Sequence, residues 1–62
     1  MKVWVVSIDD YDERDILGIY DQEAKAHLKR YIEIERRFRI YHSKYQRQEL
    51  ERSIVVQDYE VQ

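Results

Sequence analysis

The sequence predicts a small α+β domain, in which two strands hand over to helix and a last strand closes the chain. Three observations predict it. Val3, Trp4, Val5, Val6 and Ile8, then Ile16, Leu17, Ile19 and Tyr20, form two short β-branched and aromatic runs. From Asp21 the rhythm changes, and Ala24, Leu28, Tyr31, Ile32, Ile34 and Phe38 recur at helical spacing. Ile54, Val55, Val56, Tyr59 and Val61 then return to strand composition. The expected architecture is a three-stranded, mainly antiparallel sheet: a β-hairpin, one or two helices lying on one face, and a third strand.

The first strand is expected over residues 2–8. Both of its sides are apolar, Val3 and Val5 on one and Trp4, Val6 and Ile8 on the other, as in a central strand with a cover on each face. Helices on one face leave the other set needing a second cover, which a second subunit supplies. A charged connector containing Asp9, Asp10, Asp12, Glu13 and Arg14 leads to a second strand over residues 15–20, so the two read as a hairpin. Gly18, the only glycine, sits inside that strand and marks a bulge or the close approach of a side chain such as Trp4 or a helix residue.

Asp21 is the expected N-cap, with Glu23 adding favourable charge in the first turn. Lys29–Glu33 and Glu33–Arg37 form i,i+4 pairs placed on the outer side of the helix. Residues 37–53 admit two readings. Ser43 with Gln46 resembles a capping box that starts a second helix; alternatively one helix runs on to about residue 52, since no glycine or proline interrupts it. Two segments, or a bend near residues 40–43, are favoured because Ile40 and Tyr41 fall off the first stripe. The third strand is expected over residues 54–61.

Sixty-two residues make one domain, residues 1–62. A chain this short shelters only about 60% of its unfolded surface, which leaves its stability marginal, and the usual remedies are disulfides, a metal or self-association. It has no cysteine and only two histidines, His27 and His42, which leaves self-association. No cofactor is expected. With no signal-peptide pattern and no long apolar run, a cytoplasmic protein without a membrane span is expected.

The net charge of −2 conceals an asymmetry. Residues 1–21 hold two basic and six acidic side chains, net −4; residues 22–52 hold nine and five, net +4; the rest holds Asp58 and Glu60, net −2. Such a dipolar molecule is expected either to dock head to tail on itself or to offer two faces to different partners.

Several groups of residues invite a functional reading. The acidic residues Asp9, Asp10, Asp12, Glu13 and Asp15 superficially suggest a calcium loop, but lack its sixth-position glycine and closing glutamate, so a solvated hairpin is expected. Lys25, Lys29 and Arg36 project within about 40° of one another on a helix, with Arg39 nearby. Such a row suits phosphate contacts, and a small nucleic-acid-binding regulator is the alternative function. Glu35 falls within the apolar sector with Arg39 one turn on; it is either beyond the sheet in solvent or part of an intersubunit ion pair. Six tyrosines, Trp4 and Phe38 exceed what so small a core hides. Tyr20, Tyr31 and Tyr59 are expected in the core, and Trp4, Val6, Glu35, Phe38, Tyr41 and Tyr45 at a dimer or partner interface. Neither histidine joins a serine or cysteine constellation, and a chain of this size hardly encloses a pocket, so no enzyme is expected.

At Val3-Trp4-Val5-Val6-Ser7, and from Leu17-Gly18-Ile19-Tyr20 through Asp21-Gln22-Glu23-Ala24, the chain resembles a group of small phage and prophage proteins. They share an opening valine-rich strand, a glycine–tyrosine strand end passing through a cap into a helix, and a terminal strand. The motif is structural and brings no catalytic residues. Some small phage proteins of this size block host antiviral systems by binding a host protein, often as homodimers. The resemblance therefore implies a non-enzymatic, homodimeric inhibitor acting in the host cytoplasm.

Overall fold

A computed structural model of the chain describes residues 1–10, 13–41 and 46–62. Strands β1 (Lys2–Asp9) and β2 (Arg14–Tyr20) precede helices α1 (Glu23–Tyr41) and α2 (Arg47–Ser53), and β3 (Ile54–Glu60) follows α2 directly. The sheet order is β2-β1-β3, antiparallel throughout, so the doubly apolar strand is the central one. The fold is α+β, with helices over one face of a three-stranded sheet.

Register assigns each strand residue to a side. On the helix side, Val6 and Ile8 stand opposite Val56 and Ile54, and Trp4 opposite Asp58. Val6, Ile8 and Ile54 form the buried core with Ala26 and Ile34 of α1 and Leu50 of α2; Trp4, Leu17, Tyr20, Phe38 and Val56 pack around it. The ladder continues past β3, where the Val61 N–H donates to the Met1 carbonyl at 2.7 Å.

β2 carries the irregularity that Gly18 announces. Val6 pairs with Gly18 but Ser7 with Ile16, leaving Leu17 as an extra residue. The bulge turns Leu17 toward the core and sets Ile16 on the opposite face. The ring close to Gly18 is that of Tyr20, not Trp4: a β-carbon at residue 18 would lie 2.6 Å from Tyr20 Cε2.

Two expectations about the helix ends are corrected. The Gln22 carbonyl accepts from the Ala26 N–H at 3.3 Å, so Gln22 is the N-cap, and Asp21 instead pairs with Lys25 at 3.5 Å. α2 opens at Arg47 with Gln46 as its N-cap and no side-chain cap bond, so Gln46 does not occupy the third helical position of a capping box; Ser43 lies outside the described residues. α1 ends at Tyr41 and α2 opens at Arg47, so the two helical segments favoured from the sequence are found; of the alternative bend near residues 40–43, residues 42 and 43 lie outside the described residues.

Candidate interaction surfaces

The rotation of α1 about its own axis decides what the molecule shows to its surroundings. Two arginines set it. Arg30 donates through Nε to the Ile54 carbonyl at 2.7 Å and through Nη2 to the Glu51 carbonyl at 2.6 Å, satisfying an orphan carbonyl of the last turn of α2. One face further along, Arg37 reaches Glu13 beside the hairpin turn, Nη1 to Oε1 and Nη2 to Oε2, both at 3.2 Å. With the helix held at both places, Ala26, Ile34 and Phe38 turn inward.

Glu33 turns inward with them, and only 4% of it is exposed. Its Oε1 accepts from Lys29 Nζ at 2.9 Å; its Oε2 accepts from Arg36 Nη2 at 3.1 Å and Arg37 Nε at 3.3 Å. Burial pushes the carboxyl upward, but hydrogen bonds and charge from Lys29 and Arg36 outweigh it and hold the group at about 2. The Lys29–Glu33 and Glu33–Arg37 pairs are thus on the inner flank, not the outer side expected from the wheel. Arg37 is raised by its hydrogen bonds to Glu13, against burial.

The consequence is an apolar surface turned outward. Leu28 is 58% exposed and Tyr31 57%, and Ile32 and Ile40 are exposed too. The expected core assignment of Ala24, Leu28, Tyr31 and Ile32 is therefore corrected: the sheet takes one flank of a broad apolar arc and leaves the other flank out. Along it runs an open groove lined by Tyr31, Ile32, Glu35, Arg36, Arg39 and Ile40. Glu35 is half-buried there, and its partner is Arg47 of α2 rather than Arg39. Its hydrogen bond raises the Arg47 guanidinium.

A second apolar surface lies on the far side of the sheet. β1 contributes Val3, Val5 and Ser7; Tyr59 stands opposite Val3, Ile19 and Gln57 flank Val5, and Ile16 and Val55 flank Ser7. By the same alternation the cross-strand pair Asp9 and Arg14 ends this face. The Tyr59 hydroxyl donates to Gln57 Oε1 at 2.7 Å, so two of its polar tips satisfy one another. That charged row is an ion pair, Arg14 Nε to Asp9 Oδ1 at 3.0 Å. No protein-family model, curated protein or solved structure matches the chain.

The two surfaces redistribute the residues singled out from sequence. Val6 is fully buried in the core, so it is no interface residue, and the partly buried Trp4 and Phe38 pack against that core. Val3 and Val5 are the members of β1 left for a second cover. Tyr20 is a core neighbour as expected, whereas Tyr31 and the half-exposed Tyr59 are surface residues. Tyr45 and His42 lie outside the described residues, and of Tyr41 only the backbone is described. His27 is exposed beside Glu23.

The basic row does not stand free of counter-charge. Lys25 pairs with Asp21, and Lys29 and Arg36 both spend their charge on Glu33; Arg39 is exposed in the groove. In the acidic loop, Asp9 binds Arg14, Glu13 binds Arg37, and Asp10 Oδ1 accepts from the Glu13 N–H at 2.9 Å; Asp12 lies outside the described residues. Among the described residues, no three acidic, histidine or cysteine side chains converge as a metal site would require, and no helix is long and apolar enough to cross a membrane. The sequence carried the signal of two of the Glu33 pairs, but not their inward placement or the part of Arg36. Glu33 has Lys29 four residues before it and Arg36 and Arg37 three and four after, a spacing that gathers cations around one carboxylate.

Proposed function

We propose that the chain is a non-enzymatic protein–protein interaction module that acts as a homodimer. The observation that carries this reading is the pair of apolar surfaces on opposite sides of a two-layer body. Its shortest extent is 14 Å, so neither layer can shelter both of its own faces. Small soluble domains seldom leave wide apolar patches open, and those that do use them for binding. The outer groove of α1 combines exposed Tyr31, Ile32 and Ile40 with Arg36 and Arg39, the mixture of aromatic, aliphatic and arginine side chains favoured at binding hot spots. It suits an apolar segment of another protein that carries carboxylates at its margin. The narrower reading, inhibition of a host antiviral protein in the cytoplasm, follows from the resemblance to small phage proteins.

The test is capture of partners from cell lysate on the immobilised protein, compared with Leu28→Lys and Ile32→Lys. A specific partner retained by the parent protein and lost from both variants supports the module. Capture that is indifferent to these substitutions, or absent altogether, overturns it.

A further inference from the structure

Resting on the reading of the chain as a binding module, we propose that the open face of the sheet, and not α1, is where two copies join. Val3, Val5, Ile16, Ile19, Val55 and Tyr59 form its surface. In a two-fold dimer one patch meets itself, so every charge within it confronts its own symmetry mate or must find an opposite one in register. On the sheet face the charged row is confined to one end of the strands, where Asp9 and Arg14 neutralise one another at 3.0 Å. The outer face of α1 has Glu35, Arg36 and Arg39 among its apolar residues, which suits a charged, foreign partner better than a copy of itself.

Face-to-face packing places the two sheets about 10 Å apart, with helices outermost and both α1 grooves free for other proteins.

Sedimentation equilibrium and light scattering on the full chain test the assignment. The parent protein is expected to be a dimer at tens of micromolar. Ile19→Lys and Tyr59→Lys alter residues that are 60% and 51% exposed in one copy, so a monomer tolerates them. Each should weaken dimerisation by about 100-fold or more, while Leu28→Lys leaves it unchanged and circular dichroism reports all three as folded. The chain has no cysteine, so Gln57→Cys introduces a single thiol on the sheet face. A short bis-maleimide should join two copies through it, and should not do so through Gln48→Cys on α2. A dimer indifferent to Ile19→Lys, or broken by Leu28→Lys instead, overturns the sheet-face assignment and leaves the module standing. A parent protein that remains monomeric at about 200 μM ends the homodimer altogether, while partner capture through α1 still decides whether the chain is a binding module.

Discussion

Arg37 holds Glu13 in a fork, two nitrogens on two oxygens at 3.2 Å each, and joins the C-terminal part of α1 to the end of the hairpin. Planar guanidinium geometry is what permits both bonds at once. Arg37→Lys is therefore expected to lower stability by about 1–2 kcal/mol in urea unfolding, despite keeping the charge. A double-mutant cycle with Glu13→Gln should return a coupling of about 1 kcal/mol, because Glu13 remains partly in solvent.

Glu33 makes the fold sensitive to acid. Its carboxyl is lowered from 4.5 to about 2, so the folded state binds its proton less readily than the unfolded chain does. The sign follows: the contribution is complete above about pH 4.5 and is lost as pH falls toward 2. It amounts to at most about 3 kcal/mol, a large share of what so small a domain has. Thermal melts from pH 6 down to about pH 2 should show this loss, and Glu33→Gln should be less stable at neutral pH with a flatter profile.

Gly18 leaves room for the ring of Tyr20. Gly18→Ala places a carbon 2.6 Å from the ring and 2.6 Å from the hydroxyl, so the half-buried tyrosine must swing away from the core. The expected cost is about 1 kcal/mol, read as a fall in melting temperature of several degrees. In Tyr20→Ala the same substitution should cost much less, since the obstruction is gone.

The helical cations are engaged with carboxylates, which sets an expectation for nucleic acid. Mixed DNA and RNA should give no gel retardation at about 150 mM salt, because Lys25, Lys29 and Arg36 must abandon Asp21 or Glu33 to reach phosphates. Salt-sensitive binding abolished by Lys25→Ala, Lys29→Ala and Arg36→Ala together would instead establish the regulator reading.

The elements were legible because strand and helix periods are local: β1, β2 and β3 follow from β-branched runs, and the bulge from a lone glycine. The rotation of α1 was not, because it depends on bonds spanning 24 residues, from Arg30 to Ile54 and from Arg37 to Glu13. A wheel ranks faces by hydropathy, and by that measure Leu28, Tyr31 and Ile32 face inward. Two arginines aimed at fixed acceptors select the neighbouring flank, where Ala26 permits close approach and a carboxylate is buried among cations. The second surface was half legible: Val3 and Val5 announced a strand needing two covers, but only the register adds Ile16, Ile19, Val55 and Tyr59 to them.

The junction of α2 and β3 has no spacer, since Ser53 ends the helix and Ile54 begins the strand. Leu50 and Ile54 are both anchored in the core across that seam. One residue inserted there would turn the helix by about 100° relative to the strand, or exchange the two sides of the strand. Either way a core anchor is expelled. Length at the seam is thus constrained more tightly than the identity of Ser53, because a changed side chain there leaves both anchors in place and an added residue does not.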